Sequence, residues 1–265
     1  VAVVGGSFDY TWNVSDRKAR SLQRSASKAR NGIKAITRKG KAMFTLQNEL
    51  ASYYPGASIG ILIMRNVLNI PFHEKLNVVK SELEKSLRTK YGEMSRNQLK
   101  SVHPMDIYVA YYKKFGYSYH VLHQLESIIR GKAIPSVSAL VEAMFMAELK
   151  NMLLTAGHDL ERIKLPLHLK VSTGKEHYMG LNGKEMTIIQ SDMMISDAEG
   201  IISSILRGPD LRTCISPATS QVLFTAYAPP GIHEALVYQH LHDIEMYVHV
   251  FADKSTTDLK QAYRI

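Results

Sequence analysis

Apolar and polar positions along this chain follow helical spacing first and strand spacing later. Residues 57–64 form a short apolar run with one glycine, just after a Pro55-Gly56 turn, and this predicts a buried strand. Leu76, Val79, Leu83 and Leu87 then recur on one face with Lys and Glu between them, predicting an amphipathic helix over 73–90 that Gly92 can end. Leu122, Leu125, Ile128 and Ile129 predict a second helix over 118–130, closed by Gly131. Residues 136–153 are almost continuously apolar, which predicts a mostly buried helix with Ser136 as its N-cap. Two carboxylates, Glu142 and Glu148, interrupt that run. They project to different sides of a helix, and Glu142 is expected on the wet face.

From about residue 164 the period changes. Residues 165–173 alternate, Asn182-Gly183 marks a tight turn, and 186–190 resumes the alternation. Ile195, 201–206 and 222–227 follow as strand candidates, Pro229-Pro230-Gly231 ends them, and 233–252 reads as a last helix. Helices are segregated from strands instead of alternating with them, so the pattern predicts an α+β fold.

The 265 residues carry 45% hydrophobic and 22% charged side chains, enough for one sizeable core. Cys214 is the single cysteine, which excludes an intrachain disulfide and a cysteine metal cluster. No apolar run approaches the twenty or so residues of a membrane span, and no charged start followed by an apolar block marks a secretory leader. The expected location is cytoplasmic. The net charge of +9 is concentrated at one end: residues 1–41 hold ten basic side chains against two acidic ones, Asp9 and Asp16. We therefore divide the chain into a basic extension, 1–42, disordered or foreign to the natural protein, and a single domain, 43–265. Basic segments attract phosphate backbones, but the domain itself is close to neutral.

Candidate chemistry gathers in two segments. The first, Leu154–Asp159 and the residues just after it, reads as a turn in which Ala156 and Gly157 leave room for a bound molecule. There His158 is a candidate acid or base, and Asp159 either orients it or caps the next turn. The second is the loop Arg207-Gly208-Pro209-Asp210-Leu211-Arg212-Thr213, which holds an acid, two guanidinium groups and a hydroxyl. Tyr108, Tyr111, Tyr112, Tyr117 and Tyr119 either stack bases or pack two helices. No histidine pair has a third ligand, and no phosphate loop or nucleophile elbow is present, so no metal or cofactor is expected.

The run from Pro135 to Tyr227 resembles the editing domain, often called a tRNA-binding domain, of the phenylalanyl-tRNA synthetase beta subunit, and its free-standing relatives above all. The resemblance rests on Leu140-Val141-Glu142, Gly157-His158-Asp159-Leu160 with Ile163, and Leu181-Asn182-Gly183-Lys184. It continues through Asp192, Asp197-Ala198-Glu199-Gly200, Arg212-Thr213, and Thr219 followed by Val222-Leu223-Phe224. The sequence departs from the family's pattern where a histidine is expected three residues before the aspartate; that position is Ala156. An asparagine expected on the preceding helix is replaced near Phe145, and the acid after a glycine pair is matched loosely by Asp210.

The resemblance implies helices packed on a barrel-like, largely antiparallel sheet. It implies binding of aminoacyl-tRNA and hydrolysis, in trans, of the ester of a mischarged amino acid. In that role His158 and Asp210 are the expected catalytic groups, and Ala156, Gly157, Arg212 and Thr213 the expected substrate contacts. Two alternatives stand beside it: a non-catalytic module for tRNA or an amino-acid-like ligand, and a small-molecule hydrolase using the same pocket.

Overall fold

Ile33–Arg38 (β1) and Lys41–Gln47 (β2) form an antiparallel pair at the head of the described region. The computed structural model describes residues 33–38 and 41–265, and Ile33–Ile265 is one unit. Most of the basic extension thus lies outside the described residues. The boundary drawn at 42 falls inside β2, which belongs to the folded unit.

Helix α1 (Asn48–Tyr53) leads into β3 (Ser58–Arg65), whose first seven residues are buried. Four helices follow: α2 (Glu74–Tyr91), α3 (Arg96–Lys100), α4 (Met105–Lys114) and α5 (His120–Ile129). The buried helix predicted from its apolar run is α6 (Ala139–Asn151). Its N-cap residue is Ser138, not Ser136. Ser136 instead accepts a hydrogen bond from the Lys80 ammonium at 2.8 Å. That ammonium also pairs with Glu142, which is buried on the α2 side of the helix and not on a wet face.

After α6 the strands begin: β4 (Leu154–Asp159), a 3-10 turn (Leu160–Arg162), β5 (Leu167–Val171), β6 (His177–Met179) and β7 (Glu185–Thr187). They continue with β8 (Met193–Ser196), β9 (Ile201–Ser204), β10 (Gly208–Pro209) and β11 (Gln221–Ala228). Helix α7 (Glu234–Phe251) and strand β12 (Thr256–Arg264) complete the described chain.

The fold is mixed α+β, and no closed barrel forms among the described residues. The strands form open sheets in the orders β1-β2-β5-β8-β9-β10 and β12-β3-β11-β4, with β6-β7 as a small third sheet. Pairing is antiparallel except between β2 and β5. In the four-stranded sheet Phe224 of β11 lies opposite both Leu62 of β3 and Gly157 of β4. Helix α7 lies against β3 at Gly60. A Cβ there would sit 2.7 Å from Val237 and 3.2 Å from Leu241, so only glycine lets helix and strand approach this closely.

The tyrosine cluster is structural at four of its five members. Tyr108, Tyr111, Tyr112 and Tyr119 are buried, and Tyr117 is exposed. Tyr108 and Tyr119 stack at 4.6 Å between ring centroids. The Tyr111 hydroxyl donates to Asp192 and the Tyr112 hydroxyl to the Ile205 carbonyl, each at 2.8 Å. Buried hydroxyls must find partners, and these two fasten α4 to the segments flanking β8 and β9. Among the described residues no helix is long and apolar enough to cross a membrane.

Candidate functional site

The segment expected to be a turn is a buried strand. All six residues of β4 are buried, and alternation along the strand divides its functions between two faces. Thr155 and Gly157 line a cavity, which Leu154 also reaches at the head of the strand, while Ala156 and His158 alternate with them and do not line it.

Away from the cavity, His158, Thr213 and Asp210 come together. His158 Nδ1 lies 2.8 Å from the Thr213 hydroxyl. The hydroxyl donates to Asp210 Oδ1, which also accepts the Thr213 backbone N–H at 3.2 Å. Because the threonine proton is directed to the carboxylate, Thr213 Oγ1 must accept from the imidazole, so His158 is the Nδ1–H tautomer. Its Nε2 is buried without a hydrogen-bond partner. Burial pushes the His158 imidazole down to about 3, which keeps the ring neutral at physiological pH. Burial also raises Asp210, although its bonds to Thr213 pull the other way.

The expected catalytic pair, His158 and Asp210, lies in the interior, and neither residue lines the cavity. The three residues stitch a loop onto β4: the Asp159 N–H donates to the Thr213 carbonyl at 2.7 Å, and His158 forms an isolated bridge with Cys214. Ala156 is likewise a packing residue, paired with Thr225 of β11. Asp159 caps the 3-10 turn through Glu161 N–H at 3.0 Å and takes the Thr219 hydroxyl at 2.8 Å.

Arg212 is occupied as well. It holds Asp197 at 2.8 Å and Glu199 at 3.2 Å, with Asp210 at 3.7 Å. Three carboxylates around one guanidinium leave it poorly placed to take a phosphate. Of the expected substrate contacts, Gly157 alone lines the cavity.

The cavity has a volume of about 490 Å³, within the range of small-molecule sites. Helix α6 contributes Val141, Met144, Phe145 and Glu148, and the β9–β10 connection with β10 itself contributes Ile205 to Pro209. Leu181 from the Asn182-Gly183 turn and Val137 ahead of α6 complete an apolar rim, both well exposed. A Cβ at Gly157 would lie 2.7 Å from Ile215 and 3.3 Å from Phe224, so glycine here sets the shape of the wall.

Few polar groups face this space. Glu148 is buried and accepts the Thr155 backbone N–H at 2.7 Å. Burial pushes its carboxyl up to about 8, with that hydrogen bond opposing the shift. Arg207, half-buried, donates to the Thr187 carbonyl at 3.3 Å and lies 5.4 Å from the Tyr117 ring. No ion pair involving Arg207 is found among the described residues. The Cys214 thiol on the wall is raised by burial and stays protonated. The sequence did announce Glu148, as a carboxylate inside an apolar run. Its position on a cavity wall depended on the strand that packs against α6.

No family model matches the chain. Over 67 residues the sequence is 33% identical to the phenylalanine–tRNA ligase beta subunit of Mycoplasma genitalium, a stretch that is 25% of this chain and 8% of that protein. The fold overlays 86% of this chain on 56% of an N-terminal fragment of the phenylalanyl-tRNA synthetase beta-subunit from Pyrococcus horikoshii, with a TM-score of 0.43 and 12% identity. This chain is therefore related in sequence to a short part of one such subunit, and it spans a small share of that relative's length.

Proposed function

We propose that this protein binds the aminoacyl end of a tRNA as an editing domain does, with the cavity between α6 and β4 receiving the amino-acid part. The observation that carries the reading is the source of the cavity walls. Val141, Gly157 and Leu181 belong to the segments that resemble the beta-subunit editing domain, and all three line this one space. The sequence match to a phenylalanine–tRNA ligase beta subunit adds the link to tRNA and to an aromatic amino acid.

In this reading His158, Thr213 and Asp210 hold β4 in place, and Arg207 in place of Arg212 meets the ester or the terminal phosphate. Hydrolysis of a mischarged ester needs a placed water and donors for the oxyanion. Action on charged tRNA would place the protein in the cytoplasm. The test is a panel of correctly and wrongly charged tRNAs assayed for binding and for ester hydrolysis, with Arg207→Ala and His158→Ala beside the native protein. The expected outcome is tighter binding of charged than uncharged tRNA, weakened at least tenfold by Arg207→Ala. Equal binding of both tRNAs would remove the aminoacyl reading.

A second reading, a binding module without turnover, is favoured by one observation. His158, the acid–base candidate of the sequence, is fully buried and does not line the cavity. Binding without hydrolysis across the whole panel identifies it.

A further inference from the structure

Most buried carboxylates among the described residues have cations beside them; Asp192 has none and is held instead by the Tyr111 hydroxyl and the Leu206 amide. Glu142 has Lys80 at 2.7 Å, Asp197 has Arg212 at 2.8 Å, Glu84 has Arg88 at 3.3 Å, and Glu245 has Lys260. Glu148 differs. It is 2% exposed, its one hydrogen bond comes from a backbone N–H, and no ion pair of Glu148 occurs among the described residues. It also lines the apolar cavity. A buried carboxylate without a counter-charge is costly, so the position suits a ligand that brings the missing charge with it.

We propose that the cavity between α6 and β4 binds an apolar primary ammonium, whose charge pairs with the Glu148 carboxylate while its apolar body fills the remaining space. The inference deepens the aminoacyl reading of the same cavity and rests on it for its biological sense, since an α-aminoacyl group belongs to this class. Its chemistry is testable without tRNA.

The surroundings of Glu148 leave this role open to a ligand. Tyr108 and Tyr112 of α4 and Tyr119 ahead of α5 have raised ionisation and remain neutral. Burial lowers His120 on the cavity wall. His240 of α7, bonded to the Thr155 hydroxyl, is pushed down to about 4. Both imidazoles are therefore uncharged at neutral pH. The cation on the wall is Arg207, at its partly exposed side. It repels an ammonium there and attracts a carbonyl or anionic end, so the ligand is oriented with its ammonium inward.

Since burial holds the empty-site Glu148 protonated up to about pH 8, an ammonium must displace that proton on entering. Calorimetric titration with phenethylamine, 2-phenylethanol and 3-phenylpropionate, in two buffers of different ionisation enthalpy, reads this directly. The native protein is expected to bind phenethylamine best. Near pH 7 it should release about one proton per amine bound, and its affinity should rise about tenfold per pH unit toward pH 8. Glu148→Gln should weaken amine binding at least tenfold and leave the alcohol unaffected. If that variant does not fold, the proton release of the native protein decides. The proposal is overturned if the alcohol or the carboxylate binds as well as the amine. Amine binding without proton release, or no amine binding at millimolar concentration, also overturns it. Binding of charged tRNA, followed in parallel, shows whether the aminoacyl reading survives such a result.

Discussion

The Lys80 ammonium and the Glu142 carboxylate lie 2.7 Å apart with both side chains more than nine-tenths buried, joining α2 to α6. Ser136 gives the ammonium a second acceptor at 2.8 Å. Removing either partner strands a charge in the interior. We expect Lys80→Ala or Glu142→Ala to cost about 3–5 kcal/mol. The double replacement Lys80→Met with Glu142→Leu should recover most of that loss. Chemical denaturation of the three variants checks both statements, and equal losses in the single and double variants would refute the account.

Glu148 makes stability fall as pH rises. Its folded-state carboxyl holds a proton up to about pH 8, whereas in an unfolded chain it ionises near 4.5. Between those values the folded state binds more protons, so this contribution declines by up to about 1.4 kcal/mol per pH unit. His158 and His240 act in the opposite sense lower on the scale. Their folded values, about 3 and about 4 against 6.5 unfolded, make stability rise with pH until about 6.5. Unfolding free energies should therefore decline from about pH 6.5 to 8, and Glu148→Gln should abolish that decline. A native profile no steeper than the variant's above pH 6.5 contradicts this.

Arg212 guards the protein against acid. Asp197 is buried, a condition that by itself raises its carboxyl. The bonds from Arg212 and from the Lys164 and Glu199 amides outweigh this and hold it below the usual range. Its stabilisation is present above pH 3.8 and is lost as pH falls through the lowered folded value. We expect Arg212→Ala to destabilise the fold at pH 7 by about 1–3 kcal/mol. It should also move the midpoint of acid unfolding upward, as read by circular dichroism. An unchanged acid midpoint would show that the backbone amides suffice.

Gly157→Ala narrows the cavity from its wall. The added methyl meets the Ile215 side chain at 2.7 Å and the Phe224 ring at 3.3 Å. We expect about 1–3 kcal/mol of lost stability from overpacking, because Phe224 is held between two strands. Displaced Ile215, itself a wall residue, should cut binding of an aromatic ligand at least tenfold. Gly183→Ala, at a turn with open space around it but with φ of 70°, should lose stability without that binding loss.

Local pattern carried α2, α5, α6 and α7 but not α1, α3 or α4. The apolar spacing of Leu76 and Leu87 and the long run before Asn151 gave α2 and α6 to within a few residues. Strand β11 was equally clear in its own apolar run. The residues around Gly157 were not, because small residues look the same in a loop and in a strand that must clear a neighbour. What distinguishes them is Phe224, far along the chain. The burial of Glu142 was hidden for the same reason, since Lys80 lies 62 positions away. His158, Thr213 and Asp210, which the resemblance named, are joined by hydrogen bonds. The resemblance could not show that strand alternation turns the histidine away from the cavity, nor that the sheets stay open.

Strand β3 obtains both of its sheet neighbours, β11 and β12, from the last fifth of the chain. During synthesis it therefore emerges well before both partners and stays edge-exposed until they are made. Its run of apolar residues is then an aggregation hazard. Contacts so distant in sequence also make folding slow. A cell producing this protein must protect that one strand until β11 and β12 have been made, and a truncation that removes β12 leaves one of its edges open.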